Sequence, residues 1–175
     1  MISDRDEDGT PAKAKAEGER RALSARGMAR LAAVQALYQM DVARTGVRAV
    51  IEEFTLHRFR AEAEKAYYDK TDEAFFKDLV QGVVDKQRDV DPLVGAHLAK
   101  GWRLSRIDSI LRAILRAAAY ELQERRDVPV KVIINEYVDI AHAFFGGDEP
   151  GVVNGILDSV ARAVRSGEFK DRVHG

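Results

Sequence analysis

The chain of 175 residues is 46% apolar and 33% charged, a balance that fits one globular domain with a core of its own. It has no cysteine, which excludes a disulfide framework, a thiolate metal site and a cysteine nucleophile, and suits a reducing, cytoplasmic compartment. The net charge of −1 confines any nucleic-acid affinity to a local patch, and the sequence shows neither a membrane-length apolar run nor a signal-peptide pattern.

Residues 1–22 are polar, with Gly9, Pro11 and Gly18, and hold too little apolar surface to offset the entropy of ordering. They are expected to form a disordered tail. The first 19 residues carry six acids and three bases, and charge then changes sign. Residues 20–31 hold Arg20, Arg21, Arg26 and Arg30 and no acid. That tract runs into a helix predicted over residues 24–44, with Leu31, Val34, Leu37, Tyr38 and Val42 on one face and Gly46 ending it. Basic residues at a helix N-terminus are a natural phosphate contact. Solvated charge flanking a helix start is the plainer alternative.

A second helix is expected over residues 47–60, carrying Val50, Ile51, Phe54 and Leu56. Residues 61–70 fit either its extension or a loop. Thr71 or Asp72 caps a third helix with Phe75, Phe76, Leu79, Val80, Val83 and Val84. Asp91-Pro92 reads as a cap followed by proline at the first helical position, opening a short helix that Gly101 stops. Ser105-Arg106-Ile107-Asp108 has the form of a capping box. Behind it, Ile107, Ile110, Leu111, Ile114, Leu115, Ala118 and Leu122 make the strongest apolar stripe of the chain. That helix is expected at the centre of the core, with Arg112 and Arg116 on its flank. Asp127-Val128-Pro129 restarts the chain into a helix ended by Gly146-Gly147. The last helix is expected over residues 150–165. The fold class is all-α: a single helical domain of about seven helices over residues 23–167, with residues 168–175 as a C-terminal tail.

Catalytic chemistry is sparse. His57, His97, His142 and His174 lie on separate segments, with no pair at metal-ligand spacing. No phosphate-loop, dinucleotide or nucleophile-elbow motif is present. Acid pairs such as Glu52-Glu53 and Asp148-Glu149 read as solvated. Nothing points to an enzyme, a metal or a cofactor. Gln35 and Tyr38 follow the arginine tract along the same helix. Together they offer guanidinium, amide and ring to single-stranded RNA, whose bases are free to stack; Tyr38 also fits as a half-buried core residue. Asn154 reads as a buried amide tying helix to loop.

Five motifs occur in order: Ala33-Val34-Gln35-Ala36-Leu37-Tyr38; residues 76–83, Phe-Lys-Asp-Leu-Val-Gln-Gly-Val; residues 111–122, Leu-Arg-Ala-Ile-Leu-Arg-Ala-Ala-Ala-Tyr-Glu-Leu; residues 127–136, Asp-Val-Pro-Val-Lys-Val-Ile-Ile-Asn-Glu; and Val153-Asn154-Gly155-Ile156-Leu157-Asp158. In this register the chain resembles the NusB family of transcription antitermination factors. The resemblance implies two packed helical halves and a non-enzymatic bacterial RNA-binding factor. It implies pairing with ribosomal protein NusE, binding to the boxA element of nascent RNA, and help in loading an antitermination complex on RNA polymerase at ribosomal RNA operons. Members are monomers or homodimers.

Carried over position by position, the family's arginine-rich helix start falls on Arg26 and Arg30, with Arg20 and Arg21 on the flexible side. Gly27 and Met28 stand where bases are common. The RNA surface implied by the resemblance also takes in Lys131, Asp148 and Glu149 of the loop before the last helix, and Val152, where an aromatic is common. Partner contacts are placed along Leu111, Arg112 and Arg116. The arginines would supply sequence-blind attraction to phosphates, and base edges near Gln35 and Tyr38 would supply preference. Charge reversal of Arg26 and Arg30 is then expected to weaken RNA binding without lowering stability. Two other readings stand beside this one. The first is a NusB-like domain related to ribosomal RNA cytosine methyltransferases, without the catalytic domain. The second is a helical protein-interaction adaptor with no RNA role.

Overall fold

The computed structural model describes residues 24–61 and 70–170; within them the chain is helical and has no strand. The tail expected over residues 1–22 lies outside the described residues, as do Arg20, Arg21 and residues 62–69 of the undecided segment. Among the described residues eight α-helices follow in order: α1 (Ala25–Ala43), α2 (Val47–Leu56), α3 (Glu73–Asp85), α4 (Gln87–Ala96), α5 (Ser109–Glu124), α6 (Val130–Phe144), α7 (Glu149–Val164) and α8 (Ser166–Lys170). The first seven account for the expected number. The five-residue α8 continues past residue 167, where the sequence reading placed the end of the domain.

Local chemistry sets most boundaries. The Ser24 hydroxyl accepts a hydrogen bond from the Gly27 N–H at 2.9 Å and opens α1. Arg44, in the left-handed region at φ 53°, closes it, and Gly46 serves as the N-cap of α2. Asp72 caps α3 through the Phe75 N–H.

Helix α2 ends at Leu56, short of the expected residue 60, and Arg58–Arg60 forms a 3-10 turn. Two further boundaries differ from expectation. First, α4 begins at Gln87, so Asp91 and Pro92 lie inside it. Val90 and Val94 are both fully buried, which extends the helix toward its N-terminus. The Asp91 carboxylate is taken by Arg116 at 2.8 and 2.9 Å and does not cap. Second, the capping box does not form. Asp108 is itself the cap of α5, accepting from the Ile110 and Leu111 N–H groups at 2.8 and 3.1 Å, and Leu104–Arg106 is a 3-10 turn.

Helix α5 is central, as its stripe predicts: it packs against α1, α3, α4, α6 and α7. Ile114, Leu115, Ala118 and Leu122 are fully buried, and each large aliphatic side chain so placed contributes roughly 1.5–3 kcal/mol. On one side α1, α2 and α3 enclose an aromatic cluster, with Phe54 stacked on Phe76 at 5.4 Å and Phe59 edge-on to both. On the other, α6 and α7 pack together against α5. These are the two halves. Gly82 of α3 lets Tyr120 of α5 cross close by; a Cβ at Gly82 would lie 2.1 Å from the Tyr120 ring.

Arg165 is 2% exposed and reaches back under the α5–α6 turn. It donates to the carbonyls of Leu122, Val128 and Arg125 at 2.6, 2.6 and 2.7 Å, and to that of Glu121 at 3.1 Å. A helix C-terminus leaves its last carbonyls without backbone partners; this guanidinium serves that of Leu122 and adds a second hydrogen bond to those of Glu121 and Arg125, which also accept from the Arg125 and Val128 N–H groups.

Candidate nucleic-acid interface

Helices α1 and α5 run antiparallel, because Arg30 of α1 meets Glu121 of α5 while Asp41 meets Arg112. The start of α1 therefore lies beside the end of α5 and the start of α6. No acid occupies the first turn of α1, so its free N–H groups keep their partial positive charge. Arg26 stands there with its side chain 42% exposed, 3.5 Å from Asp127, 3.8 Å from Asp72 and over the Phe75 ring. Arg125 covers the same ring and is held by Asp78 and Asp127. Its hydrogen bonds hold the Asp127 carboxyl down at about 2. Lys131, exposed at the start of α6, lines a shallow cleft with Asn135, Asn154 and Asp158. Asn154 is thus exposed on the outer face of α7, contrary to the expected buried amide.

Arg30 is a correction. It is 2% exposed and shares the apolar face of α1 with Val34 and Leu37. Its Nε donates to both oxygens of the fully buried Glu121, at 3.1 and 3.0 Å, and the Tyr137 hydroxyl donates to the same carboxylate at 2.9 Å. Burial opposes the charge, but the Glu121 hydrogen bond and charge more than offset it and raise the arginine's pKa. Burial also pushes the Tyr137 phenol well up and the Glu136 carboxyl up. A guanidinium so enclosed cannot meet a phosphate. Its position on the buried stripe, opposite an acid on the buried stripe of α5, was the available signal.

Farther along α1, Gln35 is partly buried. Tyr38, 38% exposed, forms the wall of an apolar cleft with Val42, Ile110 and Phe144. The loop residues lie elsewhere. Asp148 is exposed in the α6–α7 turn, Glu149 opens α7, and Val152 packs half-buried against the core. They sit at the opposite end of α5 from Arg26 and Lys131. The structure therefore separates Arg26 and Lys131 from the loop residues at opposite ends of α5, and sets Tyr38 apart in a cleft bordered by Ile110 and Phe144.

The sequence pattern of the NusB family matches residues 28–162. The chain belongs to the NusB family. It is 53% identical over 153 residues to the transcription antitermination protein NusB of a Rhodopseudomonas palustris strain, covering 87% of this chain and 90% of that one. It is likewise 53% identical over 156 residues to the NusB protein of Rhizobium rhizogenes, covering 88% and 97%. Among solved structures, T. maritima NusB aligns with a TM-score of 0.69 at 27% identity over 83% of this chain and 96% of that one. Antitermination factors NusB and NusE in complex with dsRNA give a TM-score of 0.66 at 22% identity, over 79% and 97%, which shows the shared fold.

In this NusB-family chain the residues expected to face a partner are occupied internally. Leu111 is 5% exposed and belongs to the core, because it continues the buried stripe of α5. Arg112 binds Asp41 at 2.9 Å and the carbonyls of Leu104 and Ile107. Arg116 is divided between Asp91 and Asp41. The two arginines clasp α1, α4 and the Leu104–Arg106 turn onto α5. The sequence reading also passed over Trp102, which is 48% exposed; an isolated tryptophan outside any helical stripe gave no periodic signal.

Proposed function

We propose that this NusB-family chain is a cytoplasmic, non-enzymatic transcription antitermination factor. It binds boxA-type single-stranded RNA together with ribosomal protein NusE and so helps assemble the antitermination complex on RNA polymerase at ribosomal RNA operons. The 53% identity over 87% of the chain to a transcription antitermination protein carries this reading. The basic α1 start supports it: Arg26 and Lys131 supply phosphate contacts within residues 23–167, which act as one RNA-binding domain, and Arg20 and Arg21 add to them from the preceding segment of the sequence.

The Tyr38 cleft suits a protein better than a nucleic acid. Tyr38, Val42 and Phe144 are exposed by 38%, 59% and 38%, and apolar side chains clustered in this way mark interaction surfaces. We assign NusE to this cleft and phosphates to the α1 start. Paired variants test the division. Arg26→Glu with Lys131→Glu lowers RNA affinity and leaves NusE binding intact, whereas Val42→Asp does the reverse. Equal loss of both activities in both variants would contradict the assignment.

A further inference from the structure

Past Arg165 the chain turns back on itself. The Glu168 N–H bonds to the Arg165 carbonyl at 3.0 Å, and α8 reaches the start of α6. Five residues are too few to hold a helix alone, so side chains fix α8 in place. Phe169 is half-buried against the core, with the Arg162 guanidinium 4.6 Å from its ring centre. One oxygen of Glu168 pairs with Arg165 at 3.0 Å. The other accepts from the Val130 N–H, the first of α6, at 3.3 Å.

That last contact falls on a surface the RNA-binding reading uses. Helix α6 starts after Pro129, has no side-chain cap of its own and carries no acid in its first turn. Its leading N–H groups keep partial positive charge, and Lys131 stands exposed beside them. Among the described residues, Glu168 is the one side-chain acceptor at that turn. Glu168 and Phe169 also wall a cleft of about 290 Å³ that holds Lys131, Asn135, Asn154 and Asp158. A carboxylate, with the charge sign and acceptor chemistry of a phosphate, thus sits beside the lysine that would receive one.

We propose that α8 is an autoinhibitory strap: docked, it keeps the Glu168 carboxylate over the start of α6, and an RNA phosphate reaching Lys131 displaces it. The proposal rests on the RNA-binding reading above and adds its regulation. Two anions repel and cannot share one set of donors, so docked α8 and bound RNA oppose each other. By linkage each weakens the other by the same factor. Only the undocked fraction binds RNA at full strength, and the apparent affinity falls by that fraction.

The full chain is titrated with an end-labelled boxA-type RNA, with and without NusE, and hydrogen exchange of residues 166–170 is followed in the free and bound states. Exchange there should quicken when RNA binds. Phe169→Ala loosens α8 without changing charge and should tighten RNA binding roughly two- to fivefold, the range of one carboxylate at a helix start. Glu168→Ala removes the competing anion and should tighten it at least as much. Asp158→Asn removes an acid from the same cleft but none from α6, and should change affinity less than either. Thermal melts show which variants stay folded; if Phe169→Ala does not, Glu168→Ala carries the test against Asp158→Asn.

Unchanged RNA affinity in a folded Glu168→Ala variant would overturn the strap and leave the RNA-binding reading standing. Slower or unchanged exchange of residues 166–170 in the complex would do the same, since α8 would then stay docked beside the RNA. Equal gains from Glu168→Ala and Asp158→Asn, with none from a folded Phe169→Ala, would assign the effect to net charge and likewise overturn it. No RNA binding by the parent chain or any variant, with or without NusE, would overturn the RNA-binding reading and the strap with it.

Discussion

Arg30 and Glu121 form an ion pair sealed between α1 and α5, with side chains 2% and 0% exposed, and the Tyr137 hydroxyl completes the hydrogen bonding of the carboxylate. The pair ties α1, whose start carries Arg26, to the helix at the centre of the core. Breaking one partner of a buried pair leaves an uncompensated charge, so Arg30→Met and Glu121→Gln should each destabilise the fold by about 3–5 kcal/mol. Replacing both by apolar residues should cost far less than the sum. Urea denaturation of the two single variants and the double variant measures this; near-neutral single variants would mean that the pair carries no such coupling.

Arg165 makes the second internal clasp. Lysine in its place keeps the charge but cannot serve carbonyls of Glu121, Leu122, Arg125 and Val128 together, because its donors sit on a single atom. Buried carbonyls left without donors cost about 1–3 kcal/mol each, so Arg165→Lys should lose at least about 2 kcal/mol. Hydrogen exchange should speed up first around residues 125–130. A variant with unchanged stability and exchange would refute the clasp.

Gly82 and Tyr120 define the tightest approach between α3 and α5. A methyl group at Gly82 would meet the ring and disturb the 2.8 Å hydrogen bond from the Tyr120 hydroxyl to Asp78. Overpacking of this kind typically costs 1–3 kcal/mol, so Gly82→Ala should melt clearly below the parent. Pairing it with Tyr120→Leu should recover part of the loss, since the ring is then gone. Additive losses in thermal melts would show that the two positions do not meet.

How much of this was legible in the sequence depends on the kind of signal. Periodic apolar spacing identified α1, α3, α5, α6 and α7, and the position of α5 at the centre followed from its broad stripe. Caps were readable where a side chain meets its own helix, as at Asp72, and misread where a tertiary partner claims it, as at Asp91. The arginines were hardest. Arg26, Arg30, Arg112 and Arg116 look alike in sequence and all meet acids supplied by distant segments, yet only Arg26 stands well exposed, because the others are enclosed where α1, α4 and α5 pack together. Position on the buried stripe of α1 distinguishes Arg30 in retrospect. Nothing local distinguishes Arg112 from a surface charge.

Asp127 is paired with both Arg125 and Arg26. Its carboxyl is held at about 2 against an ordinary 3.8, first by the Arg125 hydrogen bond, so the unfolded chain binds the extra proton between those values. Its stabilising contribution is therefore present above pH 3.8 and is lost as pH falls through about 2. Asp127→Asn should lower the melting temperature at neutral pH, with a deficit that fades on acidification to pH ~2. The same substitution frees Arg26 of its 3.5 Å partner, so RNA binding at neutral pH should tighten. A melting deficit that persists at pH ~2 would contradict the linkage, and unchanged RNA affinity would mean that Asp127 does not restrain Arg26.

The most direct test of the account is a salt-titrated binding assay using a short boxA-type RNA and a scrambled control, with and without NusE from the same source. The account predicts tighter binding to boxA, an affinity that falls as salt rises, and a gain when NusE is added. Equal, weak and salt-labile binding to both RNAs, unmoved by NusE, would contradict it and leave only a generic basic patch on a helical protein.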